Sequence, residues 1–166
     1  MAIATPITLK RLKEVLSYDP LTGEWTWLIY VGRMRPGDRA GTPDRDVGNR
    51  LLIKVDGRQY QAARLAWLYM KGHWPPRQID HEDTDASNGR WLNLRLASIS
   101  QNGANRGKQS NNSSGHKGVS WQCGKWRAKI ACRGVLYLLG RYDNLNEAAA
   151  AYERKAIELF GEFARV

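Results

Sequence analysis

Four polar residues in the middle of the chain have the types and spacing of a hydrolytic metal site. Asp80 and His81 are adjacent, and Asn93 and Asn102 follow at intervals of 12 (93 − 81) and 9 (102 − 93) residues. Carboxylate and amide oxygens suit Mg²⁺ or Mn²⁺, and an imidazole with a near-neutral pKa can take a proton from water. Phosphodiester hydrolysis needs such a base, together with a cation at the scissile phosphate. The four residues therefore predict a one-metal nuclease site.

The segments around these residues are predicted to form a strand, a loop, a second strand and a helix. Residues 77–81 are an extended segment that precedes a polar loop at 82–90. In residues 91–96, three leucines alternate with polar residues, as in a half-buried strand. Ser98 can cap a short helix that runs to Asn105. This pattern can hold the predicted ligands and the histidine around one cation, so a chance scatter of polar residues is the weaker interpretation.

This stretch resembles the HNH endonucleases of the ββα-metal class, in the branch similar to phage homing endonucleases. The Asn-Leu-Arg signature begins at Asn93, and Arg-Leu-Ala-Trp at residues 64–67 resembles the family's lead-in helix. The resemblance implies one divalent cation per site, Mg²⁺ or Mn²⁺, held by Asp80 and Asn102, with His81 as the general base. It also implies that Asn93 is structural, bracing the loop and orienting the histidine.

The chain departs from the family pattern at two places. Ala63 stands where members often carry a His, and the loop has Glu82 and Asp83, followed by Asp85, where members often have Asn-Gly. The three acids could form an extra cation site or a solvated loop. Their spacing is not that of a regular calcium loop, which favours the solvated loop.

Positive charge is concentrated in one part of the chain. The formal net charge is +10, and residues 86–142 contain no Asp or Glu. Ten of the 26 Lys and Arg residues lie in this stretch, which leaves 16 to balance the 16 acidic residues elsewhere. A basic block that begins at a nuclease-like motif indicates a polyanionic partner, and a surface adapted only for solubility is the weaker alternative.

The C-terminal third is predicted to be a separate small domain. Residues 107–115 contain no apolar side chain and are predicted to be a flexible linker. Three strand-like segments separated by short breaks follow and predict an antiparallel meander. Asn144, with Glu147 three residues later, predicts the start of a helix that runs to Phe160 and ends at Gly161.

Residues 114–166 resemble an APETALA2-type DNA-binding domain, through Lys-Gly-Val at 117–119 and Glu-Ala-Ala-Ala-Ala-Tyr at 147–152. The resemblance implies that the sheet lies in the major groove of double-stranded DNA. By parity, Trp121 and Trp126 are expected on opposite faces if the strands are regular, with one of them in the core. The predicted DNA-binding residues, including one from the nuclease motif, are Arg95, Lys117, Trp121, Lys125, Arg127, Lys129, Arg133 and Arg141.

The residues ahead of the motif are predicted to be a scaffold. Residues 7–16 have the apolar periodicity of a helix. Asp-Gly between strands at 51–55 and 58–62 is a strong hairpin signal. Residues 33–49 are rich in Gly, Pro, Arg and Asp, which predicts an irregular, mobile connection. A helix at 64–70 is expected to pack under the nuclease motif.

The predicted fold class is α+β. It comprises a ββα-metal HNH nuclease core with an N-terminal α/β extension, and a small three-stranded antiparallel sheet packed by one helix. The expected domains are 1–106 and 116–166, joined by the linker at 107–115. At 42% hydrophobic over 166 residues, two modest cores are favoured over one large core.

Composition argues against membrane and secreted classes. No apolar run approaches the roughly 18 residues of a spanning helix, and residues 1–8 lack a basic segment followed by an apolar one. We therefore expect a cytoplasmic protein, in the host cytoplasm if the chain is phage-encoded. Cys123 and Cys132 are too few for a zinc ribbon, and two buried thiols are favoured over a disulfide.

The function predicted from the sequence is a metal-dependent DNA endonuclease, site-specific and of the nicking or homing type. The alternative is a non-catalytic DNA-binding regulator with a nuclease-like fold, and structured RNA is a weaker alternative substrate. All four motif residues are intact, which favours the enzyme. No coiled-coil pattern indicates a dimer, so a monomer is expected, with a dimer left open.

Overall fold

The computed structural model of the chain describes residues 6–108 and 111–166. The chain divides into two compact units, of which the first ends at Leu96 and the second is Ala97–Val166. Both combine helices with small sheets, so the predicted α+β class is confirmed. The division of the chain at a 107–115 linker stays a prediction, and residues 109 and 110 of that linker lie outside the described residues.

The first unit is built from short elements that begin at a capped helix. Thr8 starts this helix, because its Oγ1 accepts a hydrogen bond from the Arg11 amide at 3.2 Å. The helices are α1 (Leu9–Val15) and α2 (Ala62–Lys71). The strands are β1 (Leu16–Tyr18), β2 (Trp25–Trp27), β3 (Thr42–Asp44), β4 (Arg50–Val55), β5 (Arg58–Gln61), β6 (Gln78–His81) and β7 (Leu94–Ala97). They form sheets of strand order β1-β2, β3-β4-β5 and β6-β7.

The predicted Asp-Gly hairpin is confirmed between β4 and β5. Asp56 and Gly57 have φ of +48° and +79°, the left-handed values that a type I′ turn requires. The turn sets a register in which Val55 pairs with Arg58, and Ile53 of β4 is fully buried. The hairpin therefore supplies part of the core of the first unit.

The connection at residues 33–49 is more ordered than predicted. It contains β3, in which Thr42 pairs with Leu52 of β4. Pro43 is tolerated because β3 is the edge strand of its sheet, where one face of the backbone needs no partner. The expectation of an irregular segment was wrong at these three residues, because so short a strand leaves no periodicity in the sequence.

The alternating leucines predicted one strand over residues 91–96, and the structure differs from that prediction. Trp91–Asn93 is a turn of 3-10 helix, and β7 begins only at Leu94. Leu92 is 88% exposed whereas Leu94 is buried, so the alternation does not mark one buried face. The turn instead directs Asn93 toward the preceding loop.

The core of the first unit lies between α1, α2 and the first strands. Its fully buried members include Leu12 and Leu16 from the N-terminal segment and Trp25 from β2. Leu65 and Leu68 of α2 are buried against them, as predicted for the helix under the motif. The second unit has a separate buried cluster, so the expectation of two modest cores is confirmed.

The second unit places one helix against a three-stranded antiparallel sheet, as predicted. Its elements are α3 (Ile99–Asn105), β8 (Val119–Gln122), β9 (Lys125–Cys132), β10 (Val135–Tyr142) and α4 (Leu145–Phe160), and the strand order is β10-β9-β8. Asn144 caps α4 through the Asn146 amide at 2.8 Å, and Gly161 ends it. Ala148 and Ala156 are buried, because small side chains let α4 lie close to the sheet.

Among the described helices, none is both long enough and apolar enough to cross a membrane.

Candidate active site

The strand β6 ends at the two central residues of the predicted site. Asp80 is buried, at 4% exposure, and His81 is half-buried as the last residue of the strand. Directly after it, the Glu82 amide donates to the carbonyl oxygen of Asn93 at 3.0 Å. This bond closes the neck of the loop at residues 83–92, so His81 stands where the loop leaves the sheet.

The N-terminal extension supports this loop from outside. The Tyr18 hydroxyl donates to the Gly89 carbonyl at 2.7 Å, and the Trp91 amide donates to the Pro20 carbonyl at 2.9 Å. Gly23, at φ +78°, lies so close to the loop that a Cβ there would be 2.4 Å from the Gly89 carbonyl carbon. The scaffolding role predicted for the front of the chain thus has specific contacts at the loop.

The side chain of Asn93 fastens the loop from inside. Its Oδ1 accepts from the Asp83 amide at 3.0 Å, and its Nδ2 donates to Asp83 Oδ1 at 3.0 Å and to the Asn88 carbonyl at 2.9 Å. Donor and acceptor of the amide are therefore both used across the loop. These contacts are those of a brace, which is the role that the HNH resemblance implied for Asn93.

The acidic residues of the loop bond to other groups of the same loop. Asp85 Oδ1 accepts from the Ser87 hydroxyl at 2.6 Å and from its amide at 2.9 Å, which lowers the pKa of Asp85. Burial alone would raise the pKa of Asp83, but hydrogen bonds from Asn88 and Asn93 hold it below its usual range. Both carboxylates therefore accept hydrogen bonds within the loop, as expected for a solvated loop rather than a cation site.

The environment of His81 favours its neutral form. Burial lowers the pKa of the imidazole below its ordinary value, and the nearby carboxylates of Asp83, Asp80 and Asp85 oppose this without reversing it. A histidine with a lowered pKa is unprotonated at neutral pH, which is the form that a general base needs.

Asp80 forms an ion pair with Arg95 of β7. Arg95 Nε lies 3.0 Å from Asp80 Oδ2, and the two side chains are 16% and 4% exposed. Arg95 Nη1 lies 3.8 Å from Glu82 Oε1. The guanidinium that the sequence assigned to DNA therefore contacts the carboxylate that the sequence assigned to the metal. Sequence reasoning missed this pair, because the register of β6 against β7 leaves no signal in either segment.

Asn102 lies on α3, which begins as predicted at Ser98. Ser98 Oγ accepts from the Gln101 amide and the Gln101 side chain accepts from the Ser98 amide, forming a capping box. Asn102 is half-buried in the second compact unit, whereas Asp80, His81 and Asn93 belong to the first. Its role as a second metal ligand stays a prediction.

No three or more His, Cys, Asp or Glu side chains come together as a possible metal site within residues 6–108 and 111–166. The predicted site differs from such a cluster, because its proposed protein ligands are one carboxylate and one amide oxygen.

Several predicted DNA-binding residues share the open face of the C-terminal sheet. In the register of β9 with its neighbours, Arg127 lies opposite Arg141, and Lys129 lies opposite Leu138. Alternate β9 residues, such as Ala128, are buried against α4, so the basic residues between them point away from the helix. Lys125 lies on the same open face and also pairs with Asp143 at 3.1 Å.

Trp121 and Trp126 are on the same face of the sheet, whereas their odd and even positions in the sequence predicted opposite faces. They are directly opposite each other in β8 and β9, with ring centroids 4.9 Å apart. Parity along the chain fails here because the strand reverses in the turn at Cys123 and Gly124. Trp121 is 55% exposed, and Trp126 packs at the margin of the core.

The remaining predicted DNA contacts lie outside the open face. Lys117 Nζ donates to the carbonyl oxygens of Ala104 and Arg106, and burial followed by the charge of Arg165 lowers its pKa. Arg133 lies in the turn between β9 and β10, where its amide donates to Ser100 Oγ at 3.1 Å.

The two cysteines are free thiols, but only one is buried as predicted. Cys132 packs in the second core, whereas Cys123 is exposed. The exposure follows from the position of Cys123 in the tight turn after β8, where its φ is +50°.

Comparison with known proteins shows the family of this chain. A family model described as HNH endonuclease matches residues 60–104, which include all four motif residues. "Uncharacterized HNH endonuclease L560" of Acanthamoeba polyphaga mimivirus is 34% identical over 147 residues, covering 87% of this chain and 68% of that protein. The chain belongs to the HNH endonuclease family and is a nuclease. The family resemblance predicted from the motif is confirmed.

Two further similarities were found. "Protein 3.8" of Escherichia phage T7 is 36% identical over 89 residues, covering 52% of this chain and 73% of that protein. A solved structure, "DNA binding and cleavage by the HNH homing endonuclease I-HmuI", aligns with a TM-score of 0.40 at 20% identity, over 55% of this chain and 51% of that chain. The aligned part of this chain thus spans about half of that protein.

Proposed function

We propose that this HNH nuclease is a site-specific DNA endonuclease that hydrolyses phosphodiester bonds with one divalent cation and a histidine base. The proposal is based on the arrangement of three residues at and after the C-terminal end of β6. There a buried Asp80 with an Arg partner precedes a neutral His81, and Asn93 braces the loop that follows. The arrangement provides a proton acceptor beside a fixed carboxylate, as hydrolysis by an activated water requires.

The donor set fits a hard cation. The Asp80 carboxylate and the Asn102 amide oxygen would hold Mg²⁺ or Mn²⁺, which prefer oxygen ligands. No cluster of three or more His, Cys, Asp or Glu side chains of the kind that holds structural zinc is found within residues 6–108 and 111–166. When bound, the cation supplies positive charge at the scissile phosphate and the leaving oxygen.

The residues of this chain would divide the remaining work. His81 accepts a proton from the attacking water at a ring nitrogen, and its lowered pKa keeps that nitrogen available at neutral pH. Asn93 acts indirectly, because its hydrogen bonds hold the loop that follows the base. Burial of Asp80 restricts its rotation, which favours one productive geometry.

Double-stranded DNA is the proposed substrate, and the open face of the C-terminal sheet is the proposed target-binding surface. Arg127 and Lys129 of β9 and Arg141 of β10 lie on this face, and cationic side chains of this kind can contact phosphates and base edges. The APETALA2-type resemblance and the acid-free segment 86–142 support this surface. We propose a domain of residues 116–166 for target binding, joined by the 107–115 linker to a catalytic portion.

One ββα site cuts one strand, so the proposed product of a monomer is a nick. The proposed place of action is wherever the target DNA lies, which is the host cytoplasm for a phage-encoded enzyme. A dimer would convert the same chemistry into a double-strand break.

The direct test is relaxation of supercoiled plasmid in Mg²⁺ by the wild type and by His81→Ala. His73→Ala is the matched control, because His73 is an exposed histidine of the same unit. We expect nicked circles from the wild type and from His73→Ala only. DNA binding without any nicking by the wild type would instead favour the non-catalytic regulator.

A further inference from the structure

We propose that Leu136 and Leu138, on the open face of the C-terminal sheet, are specificity-determining residues that recognise the 5-methyl groups of thymine bases in the major groove. The inference rests on the proposed function, in which this face binds double-stranded DNA. The residues assigned to DNA on this face so far are cationic, whereas these two are apolar.

Both leucines lie on β10 with their side chains in solvent. Leu136 is 54% exposed and Leu138 is 64% exposed. In the register of β10 with β9, Leu136 lies opposite Ala131 and Leu138 lies opposite Lys129. Directly opposite residues of an antiparallel pair project from the same face of the sheet, and Ala131 and Lys129 alternate with residues that are buried against α4. The leucines therefore belong to the open face.

The two leucines form a small apolar surface beside a cationic one. We call Leu136, Leu138 and the exposed Ala131 the leucine patch. Lys129 lies next to Leu138 across the strands, and Arg127 is the next residue of β9 on the same face. A single exposed leucine is ordinary in a folded protein, whereas two at alternate positions of one strand make a continuous apolar surface that marks a binding site.

The surroundings of the leucine patch favour DNA over another protein. The patch lies in the acid-free segment 86–142, whose charge complements a polyanion. A stable protein interface takes roughly 20–30 residues a side, whereas the leucine patch has three apolar members. In the major groove, the apolar group that base pairs present is the thymine 5-methyl. The chemistry of the patch and of its cationic border therefore fits thymine within duplex DNA.

The spacing of the two leucines limits where the thymines can lie. Residues two apart on a strand are separated by about 7 Å, and successive bases of one DNA strand are about 3.4 Å apart. The recognised thymines should therefore lie within roughly two or three base pairs of each other in the target.

The test uses deoxyuridine, which pairs like thymidine but lacks the 5-methyl group. Duplexes that bind the full chain are first selected from a random library in EDTA, where cleavage should stop. Each thymidine of a selected duplex is then replaced by deoxyuridine in turn, and each dissociation constant is measured. We expect replacement at one or two neighbouring positions to weaken wild-type binding by about 3- to 10-fold each, the effect of losing one buried methyl-sized group.

Leu136→Ala and Leu138→Ala should each abolish this discrimination at one position, so that the thymidine and deoxyuridine duplexes bind equally there. Neither variant removes a charge, so the salt dependence of binding should stay that of the wild type. Ile157→Ala is the matched control, because Ile157 is also 54% exposed but lies on α4, which packs on the other face of the sheet. It should discriminate like the wild type.

Equal wild-type binding of thymidine and deoxyuridine at every position would overturn the inference, and that measurement needs no variant. The inference also fails if both leucine variants keep the wild-type discrimination. A dimer of the wild type that becomes a monomer in Leu138→Ala in analytical ultracentrifugation without DNA, with discrimination unchanged, would assign the leucine patch to a contact between two copies.

The proposed function is tested separately from the leucine patch. Nicking of plasmid in Mg²⁺ by the wild type, and not by His81→Ala, supports the nuclease chemistry whatever the deoxyuridine result. A selection that returns no preferred sequence would overturn both the inference and the site-specific part of the proposed function, while plasmid nicking would still report on hydrolysis.

Discussion

Asn93 and Asp83 are joined by two hydrogen bonds of 3.0 Å, one from the Asp83 amide to Asn93 Oδ1 and one from Asn93 Nδ2 to Asp83 Oδ1. The pair fixes both the backbone and the side chain of the second residue after His81. An asparagine is suited to this position because its amide carries a donor and an acceptor side by side. Alanine offers neither, and aspartate offers no donor at neutral pH.

Replacing Asn93 by Ala should lower both stability and cleavage. Three hydrogen bonds are lost, so we expect the free energy of unfolding to fall by about 1–3 kcal/mol. Thermal melting and plasmid nicking measure the two effects, with Asn146→Ala, an exposed asparagine of α4, as control. Loss of cleavage with an unchanged melting temperature would mean that Asn93 takes part directly in catalysis.

Replacing His81 by Ala should lower the cleavage rate by about 10²–10⁴-fold, the span typical for loss of a general base. DNA affinity in EDTA should barely change, because the proposed target-binding surface lies in the second unit. Cleavage time courses and gel-shift titrations give the two quantities, and His73→Ala should match the wild type in both. Equal turnover by His81→Ala would contradict the assignment of the base.

Cleavage should require Mg²⁺ or Mn²⁺ and stop in EDTA. Asp80→Asn should be inactive at ordinary metal concentrations, because an amide is a weaker ligand than a carboxylate and removes the charge that Arg95 Nε contacts. Asp44→Asn is the matched control, since Asp44 pairs with Arg50 at 3.0 Å in the same unit. Robust cutting in EDTA would indicate a different hydrolytic mechanism.

Replacing Arg127 by Ala should weaken binding to duplex DNA by about 1–3 kcal/mol if the side chain meets a base edge, and should change the preference at one base position. A phosphate contact would weaken all sequences alike and reduce the salt dependence of binding. Arg154→Ala removes the same charge from the exposed side of α4 and should have a smaller effect. Equal losses in the two variants would argue against the sheet face as the binding surface.

Replacing Gly118 by Ala should destabilise the second unit. Gly118 has φ +69°, and a Cβ there would lie 2.2 Å from Tyr152 Cε2 and 2.5 Å from the Lys129 carbonyl oxygen. Gly115→Ala is the control, because Gly115 has φ +78° but no atom within 4 Å of its Cβ position. In both variants a left-handed backbone at alanine should lower the free energy of unfolding by about 1–2 kcal/mol. In Gly118→Ala, overpacking should lower it by about 1–3 kcal/mol more. Equal melting temperatures would contradict this packing.

Features that depend on a few neighbouring residues were readable from the sequence. The Asp56-Gly57 turn follows from the need for left-handed φ at both positions, and the start of α3 follows from the reciprocal bonds of Ser98 and Gln101. The HNH motif is equally local, because residue types at fixed intervals identify it. These patterns determined the fold class, the nuclease family and the residues on which catalysis is proposed.

The tertiary structure decided whatever depends on how separate strands pair. It paired β3 with β4, placed Trp121 beside Trp126 across a two-residue turn, and set Arg95 of β7 against Asp80 of β6. A shift of one residue in a strand would turn each of these side chains to the opposite face, and nothing in the separate segments indicates which register is adopted. The sequence by itself therefore determined which residues are proposed for the site, and only the folded chain decided that an arginine expected to bind DNA lies against the aspartate expected to bind the metal.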